Sequence, residues 1–583
     1  MKILWVVGLS LLAFVSGIAE VRSACGARVR KDWDAMTTTE KSTYKNAIAV
    51  AMDSGDYIKF VEMHTEMRSE MEAHRQCMFT YWHRLLLIVF ENMLRGQGAA
   101  YACVTVPYFN WIVASARVTA GTCTSFADCI AITSELGGSM SGVQRTLAIN
   151  GINNSGRCAN VLPMNHFCQQ SSATGSACAR CVPRSDWTTV RVPTVAGYVS
   201  VRQQLFKGKN IGEMSPLVEQ GCHNNIHANF GSTMGTFAAP ADPLFWSHHA
   251  MVDALHSIFH KCRVGTQFLT FDQKANNTVA WTSCARRDTG TFNPRDVITM
   301  RTGEKGVNPI PGSSDAKIGK YFSGVPTQFA GLMDIRDLGS SSYTYALSGQ
   351  LAKLYSQCDA SPTSRKLQET TKATATNNNA KCSVTQDEDQ TKGDNNPSGE
   401  DSNTLDIIIL DKSGKSVDAD IPTDTYISDE SERLIANWYD QTIEAMGGDS
   451  HDNMADLERQ ACMFEHVCLG GTQGYSPEFQ EIWKVKEPRC KIIVDAIMNG
   501  SQPIIYESWR QDMESHFGCP EPTNSTNVTS YSCSWGSSEE GTPSYTVVGS
   551  QESVENSNDT IQFSGDAAQN DAAGVGSTYS TSW

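Results

Sequence analysis

Helical spacing of apolar residues surrounds two histidines in the first hundred residues. The spacing i, i+3, i+4, i+7 is met twice, by Tyr57, Phe60, Val61 and His64, and again by His83, Leu86, Leu87 and Phe90. Each of the two histidines therefore lies on the buried stripe of a predicted amphipathic helix. His74 lies nine residues before His83, in the approach to the second helix. Two facing helices and one connecting segment can aim three imidazoles at one point.

A second group of histidines repeats this arrangement after residue 220. His223 and His227 are one helical turn apart and project from one face. His249 begins another predicted helix, which carries Asp253 and His256 on the same face. Four helices with inward-facing ligands are a common frame for a dinuclear metal site. The patterns predict a mainly α fold: a four-helix bundle with long loops, followed by a small, disulfide-rich helical C-terminal domain.

Composition divides the 583 residues into segments. Residues 370–403 are rich in Thr, Asn, Asp, Lys and Ser and nearly lack large apolar residues, which is typical of a flexible linker. Apolar spacing and cysteines return after residue 428, and Lys and Arg are absent from residue 521 onwards. We expect a signal peptide, a main globular domain, a flexible linker, a helical domain and a disordered acidic tail, at 1–24, 25–358, 359–427, 428–520 and 521–583.

Several features favour an extracellular location. Lys2 precedes an apolar run over residues 3–15, with small residues after it, as in a secretory signal peptide. Nineteen cysteines favour several disulfides, with one thiol left over. Glycosylation sequons occur at Asn153, Asn276, Asn499, Asn524, Asn527 and Asn558. We expect no membrane span, since no later run reaches about 18 apolar residues, and no nucleic-acid partner, since the net charge is −16.

The donor types in the two histidine groups indicate the metal. Three neutral imidazoles per ion, without cysteine or carboxylate, suit copper. Zinc can also take three histidines and stays open on chemistry alone. The HExxH motif of zinc proteases is absent, because Asn224, Asn225 and Ile226 separate His223 from His227. The pattern favours a copper pair over two zinc ions.

Short motifs surround both histidine groups over residues 28–350. They are Arg30-Lys31-Asp32-Trp33, Tyr81-Trp82-His83-Arg84 with Phe90-Glu91, Pro107-Tyr108-Phe109-Asn110-Trp111, His223-Asn224-Asn225-Ile226-His227, Asp242-Pro243-Leu244-Phe245-Trp246-Ser247-His248-His249, and Tyr343-Thr344-Tyr345. In this order and spacing they resemble the type-3 copper proteins, the family of tyrosinase, catechol oxidase and haemocyanin. The resemblance covers about half of the chain and does not extend to the linker, the C-terminal domain or the tail.

The resemblance implies a dinuclear copper centre in a catalytic main domain. The first copper ion would be bound by His64, His74 and His83, and the second by His223, His227 and His249. Glu219 and Asn224 match family positions that hold a water thought to deprotonate an incoming phenol. Asp253 and Arg84 are candidates for orienting the ligands, and Phe237 matches a gating aromatic ring in some relatives, although core packing explains it equally well.

The activity that the resemblance implies is that of tyrosinase. Such an enzyme uses dioxygen to hydroxylate monophenols and to oxidise o-diphenols to o-quinones, on a small phenol or a tyrosyl group. Two alternatives share the copper pair: a catechol oxidase without monophenol hydroxylation, and a haemocyanin-like oxygen binder. A metal-free structural protein is disfavoured by the full complement of histidines. As in some relatives, the C-terminal domain is a candidate shield over the site until the linker is cut.

Other residues depart from the family or have ordinary explanations. Glu72 stands where many eukaryotic relatives have a cysteine joined to the second ligand, so we expect no thioether at His74. Disulfides are expected at Cys77, Cys222, the pair Cys178-x-x-Cys181, Cys462 and Cys468. His248 is expected to be structural or to support the ligands, because adjacent residues of a helix should not face one ion. His256 and His260 are expected to be ordinary helix histidines.

Overall fold

The computed structural model describes residues 25–281, 284–359, 406–417 and 427–519. These residues lie in one compact unit. The predicted signal peptide, most of the predicted linker and the tail lie outside the described residues. The division of the globular part into a main domain and a C-terminal domain stays a prediction.

Helices dominate the described residues, as the periodicity predicts. Those before the second histidine group are α1 (Thr38–Ser54), α2 (Tyr57–Thr65), α3 (Met67–Ala73), α4 (Phe79–Arg95), α5 (Trp111–Thr119), α6 (Phe126–Cys129), α7 (Ala131–Glu135), α8 (Tyr198–Phe206) and α9 (Ile211–Val218). Those after it begin with α10 (Asn224–Phe230), α11 (Leu244–Arg263), α12 (Phe271–Ala275) and α13 (Gly349–Gln357). The C-terminal residues add α14 (Glu430–Ala445), α15 (His451–Cys468), α16 (Pro477–Trp483), α17 (Arg489–Met498) and α18 (Trp509–Phe517).

Short strands form three small sheets. They are β1 (Val29–Arg30), β2 (Gln144–Ile149), β3 (Ile152–Ala159), β4 (Val182–Arg184), β5 (Arg301–Thr302), β6 (Ile310–Pro311), β7 (Thr344–Leu347), β8 (Ile408–Leu410) and β9 (Ser416–Val417). The strand orders are β1-β7-β8-β9, β2-β3-β4 and β5-β6. β8 and β9 lie within the range predicted as a linker. β8 pairs in parallel with β7, which lies before that range.

The turn between β2 and β3 follows directly from its sequence. Asn150 and Gly151 have φ values of 44° and 91°. An Asn-Gly pair adopts such left-handed angles readily, and a two-residue turn of this kind matches the twist of a hairpin. Ile149 and Ile152 therefore pair across the turn.

The bundle core positions the histidines. α4 and α11 pack together and are buried almost all round, as expected of helices at the centre of a bundle rather than at its surface. The ring of Trp246 on α11 stacks on Phe90 of α4. No helix in the described ranges has both the length and the apolarity needed to cross a membrane.

Disulfides tie the loops to the core. Among the described residues they join Cys25–Cys103, Cys77–Cys284, Cys123–Cys129, Cys158–Cys181, Cys168–Cys178, Cys262–Cys358, Cys462–Cys490 and Cys468–Cys519. The prediction is confirmed for Cys77, Cys462 and Cys468. It is wrong for the pairing of Cys178 with Cys181, because each reaches a cysteine in a neighbouring strand or loop.

The predicted disulfide of Cys222 is also wrong. Its thiol is free and fully buried. Sγ lies 3.7 Å from the Val218 carbonyl oxygen, and the other described cysteines pair elsewhere. Burial of this thiol raises its pKa well above the ordinary range, so the sulfur is held as an inert, uncharged group.

Candidate dinuclear metal centre

The first histidine set consists of His64, His74 and His83. His64 lies on α2 and His83 on α4, whereas His74 directly follows α3 in extended backbone, with φ −123° and ψ 152°. Their ring centres are 4.8 to 5.7 Å apart. One nitrogen from each ring lies within 4.8 Å of the others. The structure thus brings together the three residues predicted from separate elements.

The second set contains His223, His227 and His249. His227 lies on α10, and His249 lies in the second turn of α11 rather than at its start, because that helix begins at Leu244. One nitrogen from each ring lies within 4.8 Å of the others. The Nε2 atoms of His227 and His249 are 3.4 Å apart.

His223 occupies a backbone irregularity that its spacing does not predict. It ends a π-helical turn over Glu219–His223, in which Gly221 has φ −85° and ψ −114°. The amide oxygen of Gln204 accepts a hydrogen bond from the Cys222 N–H at 2.8 Å. A Cβ atom at residue 221 would lie 2.3 Å from that oxygen. Single π turns are frequent at functional sites, and this one sets the position of His223.

Hydrogen bonds orient the imidazoles in a common way. The Nδ1–H groups donate to the carbonyl oxygens of Phe237 (from His64, 2.7 Å), Phe79 (from His83, 2.9 Å) and Met234 (from His227, 2.6 Å). His223 Nδ1 is 3.0 Å from Asn224 Oδ1. The Nε2 atoms of His64, His83 and His223 are buried without a partner. Fixing the proton on Nδ1 leaves the Nε2 lone pair free for a metal.

Burial keeps these side chains uncharged. It lowers the pKa of His64 to about 4 and that of His227 to about 3. The pKa of His74 lies well below its usual range because of burial first and neighbouring histidines second, among them His64 and His83. Neutral imidazole is the form that binds metal ions. The two sets are thus ready to bind metal near neutral pH.

The two sets adjoin each other across the bundle. The rings of His83 and His249 are stacked, with centres 4.2 Å apart and planes 13° from parallel. These residues belong to α4 and α11, the two central helices. Ions held by the two sets would therefore be close neighbours.

Comparisons with known proteins agree with this geometry. Residues 54–261 match the family model of the common central domain of tyrosinase. The tyrosinase of Streptomyces glaucescens is 28% identical over 250 residues, which are 41% of this chain and 85% of that protein. The tyrosinase of Streptomyces antibioticus is 26% identical over 261 residues, 41% of this chain and 86% of that protein.

This central region belongs to the tyrosinase family of type-3 copper proteins. The matched residues include both histidine sets. Among solved structures, a polyphenol oxidase from Thermothelomyces thermophila is 18% identical, with a TM-score of 0.36, over 58% of this chain and 94% of that one. A functional unit of octopus haemocyanin is 17% identical, with a TM-score of 0.33, over 55% of this chain and 68% of that one.

The residues present in the tyrosinase domain fit the copper pair that the family implies. Each set offers three buried, neutral imidazoles. Within the two sets, the unpartnered Nε2 atoms are those of His64, His74, His83 and His223. Neither of the two histidine groups includes a carboxylate or a thiolate, and such an all-imidazole donor set suits copper. Glu72 lies beside Arg286 and the Thr299 N–H, and Cys77 is bonded to Cys284. The absence of a thioether at His74 stays a prediction.

Glu219 and Asn224 lie at the second set. Glu219 is buried, its Oε1 accepts from the Arg75 N–H at 2.6 Å, and its Oε2 has no partner. Burial raises the pKa of Glu219 to about 8. The amide oxygen of Asn224 already pairs with His223 Nδ1, so Asn224 orients a predicted ligand. Their shared role in holding a water stays a prediction.

Asp253 and Arg84 act differently from the prediction. Arg84 Nε donates to Asp253 Oδ1 at 2.6 Å, and Asp253 Oδ2 accepts from Tyr343, Tyr345 and Arg30. Neither side chain hydrogen-bonds to a ligand imidazole. The buried network instead ties α4 to α11, and so holds His83 and His249 through their helices.

His248 is expected to be structural or to support the ligands, and that role stays a prediction. A ring nitrogen of His248 lies in the same group as those of the second set, all within 4.8 Å. The rings of His248 and His249 are 5.2 Å apart and 72° from parallel. His256 packs on Tyr81 instead, as expected of a helix histidine.

The sequence does not reveal that Trp483 contacts the histidines. This residue ends α16, and its ring centre lies 5.2 Å from that of His74 and 5.0 Å from that of His227. Its Nε1–H donates to the Gly235 carbonyl oxygen at 2.8 Å. Its side chain also meets Phe237 at 5.0 Å. The indole thus touches both histidine sets, from more than 200 residues along the chain.

Proposed function

We propose that this chain is a secreted dinuclear copper oxidoreductase that uses dioxygen to hydroxylate monophenols and to oxidise o-diphenols to o-quinones. The observation that carries the proposal is the pair of adjoining histidine sets inside a tyrosinase domain, each with three buried, neutral imidazoles. His64, His74 and His83 would hold one copper ion, and His223, His227 and His249 the other. The disulfides support secretion, since such bonds persist in oxidising compartments.

The chain's own residues would orient the ions and handle a proton. When bound, the copper pair would supply dioxygen activation and accept electrons from the phenol. The carbonyls of Phe237, Phe79 and Met234 hold three ligand imidazoles in one tautomer. Two nearby dications would favour the carboxylate form of Glu219. Its free Oε2 would then accept the phenol proton, through a bridging water.

Assays on a monophenol and on the matching catechol test the proposal. Copper-loaded chain should oxidise both, and Glu219→Gln should lose monophenol activity by about 10²–10⁴-fold while keeping two copper ions. Activity on the catechol alone would instead support a catechol oxidase. Reversible dioxygen binding without turnover of either phenol would support the haemocyanin-like alternative and contradict the proposal.

We also propose that the described form of the chain is closed to substrate. Trp483 is 2% exposed and fills the space beside His74, His223 and His227. Its helix is anchored nearby, since the Asn225 amide donates to the Tyr475 hydroxyl at 2.8 Å. A phenol cannot reach the metal ions while the indole lies there. The C-terminal residues would thus hold the enzyme latent until the segment 359–427 is cut.

Replacing the indole tests this latency without proteolysis. Trp483→Ala should raise the kcat/KM for catechol at least about tenfold, or about 1.4 kcal/mol of transition-state free energy. Trp509→Ala is a matched control, because Trp509 lies in α18 outside the ring contacts of the histidines. Equal rates in the unmodified chain, the Trp483 variant and a chain cut within 359–427 would contradict the proposal.

A further inference from the structure

A cavity lined mainly by arginines lies apart from the six predicted copper ligands. It has a volume of about 500 Å³ and is enclosed by α3, the loop over residues 286–299, β5 and β6. Cavities that bind small molecules usually measure about 300–1,000 Å³. Its charged lining residues are Arg68, Arg286, Arg287, Arg301, Glu72 and Asp288. The lining thus carries an excess of two positive charges, on a chain whose net charge is −16.

The carboxylates that pair with three of these arginines are buried behind them. The side chains of Glu66, Glu70 and Glu72 are 4–11% exposed, whereas those of their partners are 20–26% exposed. These partners are Arg301, Arg287 and Arg286, in the same order. Each buried carboxylate fixes a guanidinium that still lines the cavity. Donors held in place before binding lose little freedom when a ligand arrives.

Two of the arginines keep N–H groups for a ligand. Arg68 is exposed and makes no hydrogen bond or ion pair among the described residues. The Arg287 side chain donates only through Nη1, to Glu70 and to the His74 carbonyl oxygen. Its Nε and Nη2 are therefore available. A guanidinium presents five N–H donors in a planar fork, which matches two oxygens of a carboxylate or phosphate.

Arg286 contributes less to anion binding than the other arginines. It is paired with Glu72, Asp288 and Asp296, so its charge is already offset. Its guanidinium carbon instead lies 4.4 Å from the centre of the Phe292 ring. The cationic part of the cavity is thus the side of Arg68, Arg287 and Arg301.

The remaining lining is apolar. Met71, Phe292 and Pro311 contribute to it, and the Phe292 side chain is held by the contact with Arg286. A bare inorganic anion would leave these side chains without a partner and most of the volume unfilled. An anion with an apolar body would cover both parts of the lining.

We propose that this cavity is a binding site for a small organic anion. Arg68 and Arg287 hold its carboxylate or phosphate group, and Met71 and Phe292 contact its apolar body. The site goes beyond the proposed function and needs neither copper ion. Arg287 also supports the His74 carbonyl oxygen at 3.3 Å, so the bound anion touches a residue that contacts the first histidine set from outside.

Calorimetric titration of the full-length, copper-loaded chain with benzyl phosphate, at constant ionic strength, tests the proposal. One equivalent should bind, about tenfold more tightly than inorganic phosphate, because the ring buries apolar surface. Benzyl alcohol, which has the ring without the charge, should not bind measurably. The affinity for benzyl phosphate should be the same after copper is removed with a chelator. Binding that disappears with the copper would assign the ligand to the metal ions and overturn the proposal.

A substitution at Arg68 shows where the anion is held. Arg68→Gln should weaken benzyl phosphate binding about 10–100-fold, the usual worth of hydrogen bonds to a charged group. The exposed, unpaired position of Arg68 makes loss of folding no concern. Arg295→Gln is the matched control, because Arg295 lies in the same loop, pairs with Asp272 and does not line the cavity. Equal affinities in both variants, or inorganic phosphate bound as tightly as benzyl phosphate, would overturn the proposal.

Discussion

The two histidine sets have the same donors but stand on different scaffolds. The first set is gathered from α2, the end of α3 and α4, and its central member, His74, lies in extended backbone. The second set comes from one π turn with its following helix, and from α11. A group of three imidazoles is therefore reached in one case from three separate segments and in the other from two.

Each scaffold has its own support. Around His74, Arg287 donates to the His74 carbonyl oxygen at 3.3 Å, and the disulfide Cys77–Cys284 holds the following loop. Around His223, the support is the fit between Gly221 and the side chain of Gln204. What the sets share is the network of Asp253, which joins the helices of His83 and His249. The comparison shows that a substitution can be chosen to disturb the first set, the second set or both.

Breaking the shared network should have the largest effect. Asp253→Asn removes one partner of two buried guanidinium groups, those of Arg84 and Arg30, and should cost about 3–5 kcal/mol of unfolding free energy. Urea unfolding of the metal-free chain measures this. The control Asp272→Asn breaks the exposed pair with Arg295 and should cost at most about 1 kcal/mol. Equal losses in both variants would show that the network does not hold the helices.

A substitution confined to the second scaffold should have a smaller effect, and that effect should be limited to the second copper ion. In Gly221→Ala the new Cβ meets Gln204 Oε1, which is already bound to the Cys222 N–H. The affinity for the second copper ion should fall about 10–100-fold, with the first unchanged. Competition with a copper chelator measures both. Gly235→Ala is the matched control, because its Cβ would meet only atoms at 3.9 Å; a loss of the first ion would contradict the account.

A different kind of effect should come from the pH dependence of the C-terminal residues. Glu432 on α14 is buried and accepts from the Gln350 N–H at 2.9 Å, and burial raises its pKa to about 8. The folded chain therefore keeps a proton that the unfolded chain, with a glutamate pKa of about 4.3, releases. Stability from this group is complete below that value and is lost as pH rises through 8.

Glu432→Gln isolates this contribution. Between pH 5 and 8 the unfolding free energy of the unmodified chain should fall relative to the variant by at most about 1.4 kcal/mol per pH unit. Denaturant unfolding at several pH values gives the difference between the two chains. A difference that stays constant with pH, or grows in the opposite direction, would contradict the raised pKa.

Much of the site could be predicted because its signals are local or carried by motifs. Apolar spacing placed His64 and His83 on buried helices, and the resemblance supplied His74, which lies outside a helix. The π turn at Gly221 was missed because helical spacing assumes regular backbone.

The contacts across the molecule were beyond the reach of sequence patterns. Trp483 follows an ordinary amphipathic pattern, and nothing in its neighbours indicates that it lies against His74 and His227. Cys222 looked like a disulfide partner because most cysteines of such a chain are paired. In the structure its sulfur lies beside the Val218 carbonyl oxygen, and the other described cysteines pair elsewhere.

The central claim is that the two histidine sets hold two neighbouring copper ions. Anomalous X-ray scattering at the copper edge, from crystals of the copper-loaded chain, tests it directly. The account predicts two peaks that lie about 3.5–4 Å apart. Each peak should lie about 2.0–2.1 Å from the nitrogens of one set. One peak, or copper bound away from both sets, would contradict it.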